Sequence, residues 1–344
     1  MEKYSFKNDY SEMAHPKVLE ALSAVGTEQF EGYGLDKHSI EAAKLIRSKF
    51  KASSADVHFI PGGTHANLVV ISSALRPHEA VIAPESGHIF VHETGAIEAT
   101  GHKICTRKGR NGKLSVYDIE SVIDEHKGDE HMVKPRLVYL SLSTECGTVY
   151  TRAELAVISE YCQSYGLYLY IDGARLGAAI NSNECDLKYS DVAKLADAFF
   201  IGGTKNGALF GEAIVISNEL MKEDFRYHLK QRGGLLAKTA AIAVQFKSLF
   251  TDGLYDELAQ NSLAMADWLA SGIENLGFEF LYPVETNLII PVFPSGIAKK
   301  LHKLYGFHDW QKLGDMTAVR LLTSWATKES DVDEFIADLT SMSK

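Results

Sequence analysis

Lys205 is the residue of this sequence best suited to covalent chemistry. It follows a short apolar run at residues 198–201 and lies in a loop of small residues, Gly-Gly-Thr-Lys-Asn-Gly. A lysine amine becomes a nucleophile, able to form a Schiff base, when burial or a cationic neighbour disfavours its ammonium form. The glycines would let a bulky group approach the backbone. Taken alone, such a lysine more often faces solvent, and the segment lacks the spacing of a phosphate-binding P-loop.

Asp172 follows an apolar run at residues 167–171 and precedes Gly-Ala-Arg175. At the carboxyl end of a strand, an acidic side chain points into the crevice where open α/β sheets bind ligands. A carboxylate there can keep a pyridine nitrogen protonated, which makes the ring a better electron sink. Asp-Gly at a strand–helix junction is equally suited to a helix N-cap. Arg175 would then pair with the same ligand or with Asp172 itself.

Two further segments could contact the same ligand. Gly62-Gly63-Thr64 lies between a predicted strand and a predicted helix, where backbone amides and a hydroxyl form an anion site suited to phosphate. His88 could stack on a cofactor ring and transfer protons. Taken alone, the first segment is more often a glycine turn with Thr64 as N-cap, and His88, like His92, is more often structural.

Short apolar runs alternate with amphipathic stretches through the first two-thirds of the chain. Strands are predicted at residues 57–60, 80–83, 137–142, 167–171, 198–201 and 213–216, and helices at about 65–75 and 152–165. Strands separated by helices imply parallel pairing with right-handed crossovers that cover both faces of one sheet. The candidate residues above would then lie together at one edge of that sheet.

The pattern changes after about residue 237. Helices are predicted at 238–250, 253–277, 297–305 and 329–342, and strands at 287–293 and 317–322. A chain of 344 residues exceeds one comfortable hydrophobic core, so a second domain is expected. We predict a large domain over residues 1–240 and a smaller C-terminal α/β domain over residues 241–344.

Composition argues against several classes of protein. A formal net charge of −10 and a pI of about 5.7 disfavour nucleic acid and anionic lipid as partners. Four cysteines without CxxC spacing argue against a zinc site or a disulfide framework, so no metal is expected. The chain starts without an apolar signal core and has no membrane-length apolar run, which predicts a cytoplasmic protein that does not contact a membrane.

The order of these features resembles that of fold type I pyridoxal-phosphate enzymes, the aspartate-aminotransferase-like superfamily. A phosphate turn comes first, then His88, a strand-end Asp172 and, later, Lys205. Within that superfamily the sequence is similar, nearly end to end, to the threonine aldolase (β-eliminating lyase) family. The segments that carry the likeness are 33–36, 61–68, 88–93, 171–176, 203–206 and 319–323. The resemblance implies an α/β fold with a mostly parallel seven-stranded sheet in the large domain.

The resemblance also implies a cofactor, pyridoxal 5′-phosphate, and residues to hold it. Lys205 would carry it as a Schiff base, Asp172 would bind the ring nitrogen, and His88 would cover the ring face. The remaining implied contacts are those of Gly63, Thr64, Thr204 and Arg175, together with Lys230, which would reach the phosphate of a neighbouring subunit. Active sites shared in this way imply a homodimer or a homotetramer.

An amino-acid substrate is implied as well. Arg320 matches the carboxylate-binding arginine of the family, with Arg175 and Asn8 beside it. The implied reaction is that of a low-specificity L-threonine/L-allo-threonine aldolase, which cleaves β-hydroxy-α-amino acids to glycine and an aldehyde. Other fold type I reactions, notably β-elimination and transamination, are alternatives, and so is a cofactor-binding regulatory protein without turnover.

Two segments depart from the family pattern. Residues 141–147, Ser-Leu-Ser-Thr-Glu-Cys-Gly, replace a segment in which many aldolases carry a histidine near the substrate hydroxyl. Residues 233–238 lack an arginine that many members have. The base that takes the β-hydroxyl proton is therefore left open between His88 and a bound water.

Overall fold

The computed structural model describes residues 3–343, which form alternating helices and strands. The helices are α1 (Pro16–Ala24), α2 (Lys37–Phe50), α3 (Gly63–Ala74), α4 (His88–Val91), α5 (Val116–His126), α6 (Arg152–Tyr165), α7 (Leu176–Asn181), α8 (Tyr189–Leu195), α9 (Glu219–Lys222), α10 (Phe225–Gln231), α11 (Ala240–Leu249), α12 (Leu254–Asn275), α13 (Ser295–Leu301) and α14 (Glu329–Met342). The strands are β1 (Asp56–Ile60), β2 (Glu79–Pro84), β3 (Ile104–Arg107), β4 (Lys134–Ser141), β5 (Tyr168–Asp172), β6 (Ala198–Gly202), β7 (Glu212–Ile216), β8 (Leu288–Ile289), β9 (Val292–Pro294), β10 (His308–Leu313) and β11 (Met316–Leu322).

A seven-stranded sheet in the order β1-β7-β6-β5-β4-β2-β3 is the centre of the fold. Strands β3, β2, β4, β5 and β6 pair in parallel, with helices in the connections. Every residue of the central strands β2, β6 and β7 is buried. The predicted mostly parallel seven-stranded sheet is confirmed.

Strand β7 is the antiparallel member of this sheet, because it pairs antiparallel with both β6 and β1. The sequence pattern predicted only parallel pairing. The connection from β6 to β7, residues 203–211, is too short to hold the helical crossover that a parallel pair requires. That short connection is the loop that carries Lys205.

Predicted and observed elements agree best where a local signal marks the ends. Helix α6 occupies the predicted residues, because Thr151 and Glu154 form a capping box and Gly166 ends it in the left-handed conformation. Helix α14 also matches. Strands β3 and β10 were not predicted, nor were helices α1, α2, α4, α5 and α7 to α10. Strand β10 is mostly exposed, so it lacks an apolar pattern.

A second, smaller sheet contains β10, β11 and β8, with β9 also paired to β11. Helices α13 and α14 pack around it, and α12 contacts both α14 and α7. Buried residues from the second half of α12, from α14 and from β11 share one apolar cluster, whereas two other clusters cover the two faces of the large sheet. A division of the chain after residue 240 stays a prediction.

Phe6 belongs to the apolar cluster of the smaller sheet although it lies near the start of the chain. It is fully buried against Tyr305 and Phe335, and its carbonyl accepts a hydrogen bond from the Leu322 amide. The first described residues therefore cross the molecule and stabilise its C-terminal part. Within residues 3–343, no helix combines the length and the apolar character needed to cross a bilayer.

We predict that Phe6→Ala lowers the free energy of unfolding by about 3–5 kcal/mol, because it leaves a cavity among packed aromatic rings. Urea unfolding followed by circular dichroism measures this. Tyr117→Ala, at a side chain that is 77% exposed, is the matched control and should change stability by no more than about 0.5 kcal/mol. Equal stability of the two variants would contradict the packing role of Phe6.

Candidate active site

The candidate residues meet where three neighbouring parallel strands end. Ser141 ends β4 and pairs in register with Asp172, which ends β5. Strand β6 ends at Gly202, just before the loop that holds Lys205. The carboxyl edge of the sheet thus brings together residues that are far apart in sequence, as open α/β sheets do.

Glycines join the Lys205 loop to the Asp172 turn. The Gly202 amide donates to the Gly173 carbonyl at 2.9 Å. A Cβ atom on Gly202 would lie 2.1 Å from the Ala174 carbonyl oxygen, so no larger residue fits there. The sequence suggested that these glycines make room for a cofactor; in the structure, Gly202 makes room for the neighbouring turn.

The Lys205 loop is held from several sides. The hydroxyl of Thr204 accepts a hydrogen bond from the Gly211 amide at 3.0 Å, and Asn206 donates to the Tyr255 carbonyl at 2.8 Å. These contacts fix the backbone on both sides of the lysine. Thr204, predicted to bind a cofactor, therefore has a structural contact within its own loop.

Glu212 supports the same loop from β7. Its carboxylate accepts a hydrogen bond from the Gly203 amide at 2.8 Å. Burial raises the pKa of Glu212 to about 7, against the hydrogen bonds and the nearby Lys205 charge, which lower it. Glu212 was not singled out in the sequence, where it reads as a polar residue at a strand end.

Lys205 has the electrostatic environment of a nucleophile. Burial, followed by the nearby Arg175 charge, lowers the pKa of its amine, while Asp9 and Asp172 act in the opposite direction. A lowered pKa increases the neutral fraction that can attack a carbonyl group. The alternative, a solvent-facing loop lysine, does not fit this environment.

Asp172 is buried and holds three hydrogen bonds. Asn67 and Tyr139 donate to one carboxylate oxygen at 3.0 and 2.7 Å, and the Ala174 amide donates to the other at 3.0 Å. Helix α7 begins at Leu176 and has Arg175 at its N-cap position, so the N-cap interpretation of Asp172 is wrong. These donors hold the Asp172 carboxyl group in place at the end of β5.

Asn67 links Asp172 to the His88 side chain. Its amide nitrogen donates to Glu93 at 2.8 Å as well as to Asp172, and its oxygen accepts from Tyr170 at 3.0 Å. His88 Nδ1 lies 2.8 Å from the same Glu93 oxygen. With Glu93 as a carboxylate, Nδ1 carries the proton and Nε2 is the free nitrogen.

The roles of Asn67 and Glu93 escaped the sequence reasoning, although both lie in segments that carried the family resemblance. Both are buried in the structure. A buried amide and a buried carboxylate must find partners, and these two share theirs with the predicted residues. For Asn67 the available signal was a polar residue among apolar ones in the first turns of α3, whereas Glu93 lies in the loop after α4.

Glu145 lies on the other side of His88. One of its carboxylate oxygens, Oε1, accepts from the His88 backbone amide at 2.9 Å and from the Ser141 hydroxyl at 2.7 Å. Its other oxygen, Oε2, is buried without a hydrogen-bond partner among residues 3–343. This glutamate stands in the segment that departs from the family pattern.

Arg175 is paired with Asp9, an interaction that the sequence did not reveal. Its guanidinium donates two hydrogen bonds to the Asp9 carboxylate, at 2.6 and 3.0 Å, and Asn287 donates a third at 3.1 Å. Of the two alternatives for Arg175, pairing with Asp172 is wrong. Burial opposes ionisation of Asp9, but Arg175 and Lys205 outweigh it and lower the pKa of that carboxyl.

Arg320 is a positively charged residue that is available to an anionic ligand. It lies half-buried on β11, and its Nε has no hydrogen-bond partner within the described chain. Burial and the neighbouring Arg175 charge lower the pKa of its guanidinium. An unsatisfied buried donor next to a second positive charge suits a carboxylate ligand.

Two predicted residues make contacts that do not point into this cluster. The side-chain oxygen of Asn8 accepts from the Tyr10 amide and the Ser11 hydroxyl, both at 3.0 Å, so it forms a local turn. Lys230 is exposed, and its amine lies 4.6 Å from the centre of the Tyr33 ring. The contact of Lys230 with the phosphate of a second subunit stays a prediction.

Gly63 and Thr64 form the first turn of α3, whose N-cap is Gly62. Thr64 is therefore inside the helix, and the prediction of a Thr64 N-cap is wrong. No side chain caps this helix, so its first amides are available to an anion. The Phe200 ring lies beneath Gly63, at 3.4 Å from where a Cβ atom would be.

These residues fit pyridoxal phosphate on chemical grounds. An amine with a lowered pKa, a buried carboxylate for a ring nitrogen and an uncapped helix terminus for a phosphate are the groups that this cofactor requires. The partly exposed His88 ring could cover its face. Among residues 3–343, no cluster of side chains suits a metal ion.

The family model for β-eliminating lyases matches residues 13–293 of the chain. The chain belongs to the β-eliminating lyase family. A low-specificity L-threonine aldolase from a Pseudomonas species is 32% identical over 95% of this chain and 94% of its own length, and one from Pseudomonas aeruginosa is 30% identical over 94% and 93%. Membership in this family makes the protein a pyridoxal-phosphate-dependent lyase.

Solved structures give the same placement. The structure of Leishmania major threonine aldolase has a TM-score of 0.97 with this chain at 45% identity and covers 99% of this chain and 100% of its own. Aspartate aminotransferase from Thermus thermophilus has a TM-score of 0.75 at 15% identity, over 99% of this chain and 91% of its own. The fold of this β-eliminating lyase is therefore fold type I, as predicted.

We predict that Asp9→Ala lowers the free energy of unfolding by about 3–5 kcal/mol at pH 7, because it leaves Arg175 buried without its counter-ion. Since the pKa of Asp9 is lowered, the pair stabilises the protein fully above pH 4, roughly the ordinary pKa of aspartate. The difference between the two proteins should shrink as the pH falls below that value.

Urea unfolding at several pH values tests this prediction. The control is Asp309→Ala, which removes an ion pair with His302 whose two side chains are partly exposed, and it should change stability little. Unfolding of Asp9→Ala at the wild-type urea concentration would contradict the role given to the Asp9–Arg175 pair.

Proposed function

We propose that this protein is a low-specificity L-threonine aldolase, which cleaves L-threonine, L-allo-threonine and related β-hydroxy-α-amino acids into glycine and an aldehyde. The observation that carries the proposal is the meeting of Lys205 and Asp172 at adjoining strand ends, with Arg320 near Arg175. The activity named for the relatives from Pseudomonas supports the same reaction.

The cofactor of this reaction is pyridoxal 5′-phosphate. When bound, it supplies an acceptor for the electron pair that remains at Cα after the bond to Cβ breaks. Lys205 would hold its carbonyl carbon, Asp172 its ring nitrogen and the first turn of α3, with Gly63 and Thr64, its phosphate. Thr204 would act through the loop that it fixes, and His88 would cover the ring.

Arg320 would bind the substrate carboxylate, because its guanidinium is partly buried and has an unsatisfied donor. Arg175 has given two of its donors to Asp9, so its remaining donors can contact the same carboxylate. Two points of attachment would fix the torsion about Cα and place the Cα–Cβ bond for cleavage. Asn8 would contribute through the turn that it forms.

We propose further that the protein works as a homodimer or homotetramer. Lys230 is exposed at the end of α10, where its amine is free to reach the phosphate site of a second copy. Such a contact would complete the anion site with a positive charge that the helix terminus lacks.

We predict that Lys205→Ala abolishes both the yellow absorption band of the bound cofactor and the release of acetaldehyde and glycine from L-threonine. Borohydride should remove the same band from the wild-type protein. Lys108→Ala, at an exposed lysine, is the matched control and should keep both properties. Ammonia and an oxoacid in place of glycine would indicate β-elimination and contradict the aldolase proposal.

We predict that Arg320→Ala lowers kcat/KM for L-threonine by about 10- to 100-fold, since a hydrogen bond to a charged group contributes about 1.5–3 kcal/mol. Arg320→Lys should recover only part of the loss, because lysine lacks the planar fork that matches a carboxylate. Steady-state kinetics measure the effect, and the cofactor band serves as the control. Loss of that band in both variants would show that Arg320 holds the cofactor instead.

A further inference from the structure

Glu145 closes a ring of hydrogen bonds at the carboxyl edge of the sheet. Starting from Asp172, the ring continues through Tyr139, Ser141, Glu145, His88, Glu93 and Asn67, and returns to Asp172. Each contact in it is 3.2 Å or shorter, the longest joining the Ser141 and Tyr139 hydroxyls. Both glutamates of the ring, Glu93 and Glu145, keep one buried carboxylate oxygen, Oε2, without a hydrogen-bond partner among residues 3–343, and Glu145 is the one that lies in the segment that departs from the family pattern.

Counting the protons in this ring shows that the Glu145 carboxyl group can be either ionised or protonated while it keeps its hydrogen bond with Ser141. Tyr139 donates its proton to Asp172, and Ser141 has a single proton for two contacts, one to Tyr139 and one to Glu145. If Glu145 is ionised, Ser141 donates to it. If Glu145 is protonated, it donates to Ser141, and Ser141 turns its proton toward Tyr139. The two arrangements differ by one proton on Glu145 and by the direction in which the Ser141 hydroxyl points.

The surroundings of Glu145 favour its protonated form more than water does. Burial, together with the Asp172 charge, raises the pKa of Glu145, while the Ser141 hydrogen bond and His88 lower it. The titratable and charged groups near it are Asp172, His88, Tyr139, Tyr150, Cys146 and Arg175. A carboxyl with a raised pKa is a better general base than an ordinary glutamate, because a base works best with a pKa near the working pH.

We propose that Glu145 is the catalytic base that takes the β-hydroxyl proton of the substrate. The Glu145 carboxylate receives the proton, the hydroxyl oxygen forms the aldehyde carbonyl as the Cα–Cβ bond breaks, and the electron pair stays on the Cα side. Cα later takes up one proton from solvent and Glu145 releases one to solvent, so no further reactant is needed. His88, anchored on Glu93, keeps its place beside the ring.

This inference rests on the proposed aldolase function, and it assigns the base that takes the β-hydroxyl proton, which the sequence left open. The segment at residues 141–147 lacks a histidine, and Glu145 is the side chain from it that contacts both Ser141 and the His88 backbone. Its Oε2 is buried without a hydrogen-bond partner among residues 3–343, and because a buried acceptor without a partner is costly, this carboxylate gains by taking up a proton.

The test uses the cofactor-loaded protein and compares two reactions. Exchange of the glycine α-proton with D₂O, followed by NMR, requires the cofactor, Lys205 and Asp172 but no β-hydroxyl. Cleavage of L-threonine requires all of these and the base. Glu145→Gln should keep the cofactor band and exchange glycine within about threefold of wild type, yet cleave threonine about 10²- to 10⁴-fold more slowly.

The pH profile gives a second measurement. Because the base must be ionised, wild-type kcat should rise with pH through the raised pKa of Glu145, and Glu145→Gln should lack that acidic limb. Glu145→Asp should retain part of the activity and the limb. The wild type should show a protonated-carboxyl infrared component that titrates over the same pH range and is missing in Glu145→Gln, independently of turnover, while the component from Glu212 should stay in both proteins.

Three results would overturn the inference. The first is threonine cleavage by Glu145→Gln at the wild-type rate. The second is an equal loss of threonine cleavage and glycine exchange in Glu145→Gln, which would make Glu145 a structural residue. In the third, the wild type exchanges glycine but releases no aldehyde from any β-hydroxy-amino acid, which would overturn the aldolase proposal as well. Glu274→Gln, at an exposed glutamate, is the control and should behave as wild type.

Discussion

The backbone contact between Gly202 and Gly173 is the constraint on which the rest of the site depends. It draws the loop after β6 against the turn after β5, closer than any side chain would allow, and so places Lys205 beside Asp172. The connection from β6 to β7 is short, so the two strands pair antiparallel, and the loop stays close to the Asp172 turn. Backbone geometry thus brings Lys205 and Asp172 together, and side chains only refine their positions.

The charged residues of the site fall into two groups, those that are paired with an opposite charge of the protein and those that are not. Asp9 neutralises Arg175 with two hydrogen bonds, and Asp172 receives only neutral donors, so neither quenches the other. Arg320 keeps an unsatisfied donor, and its pKa is lowered by burial and by the charge of Arg175. A site with one carboxylate and one guanidinium left free is prepared for a ligand that carries both a cationic ring and an anionic group.

Much of the fold could be predicted because its signals are local. Helix α6 is bounded by a capping box and a glycine, and the buried strands β5 and β6 are continuous apolar runs between turn residues. Strand β10 could not be predicted, since its exposed residues carry no apolar pattern and its pairing with β11 provides the order. The direction of β7 also depended on its neighbours, because a strand has the same sequence pattern in either direction.

The sequence by itself determined which chemistry the protein can perform. It placed Lys205, Asp172 and His88 at the ends of predicted elements, and their order together with the family resemblance pointed to pyridoxal phosphate. Tertiary structure decided which partners these residues have: Asp9 for Arg175, Asn67 for Asp172 and Glu145 beside His88. Those hydrogen bonds join residues from 57 to 166 positions apart, and a contact over such a separation arises only when the sheet closes, so no local pattern records it.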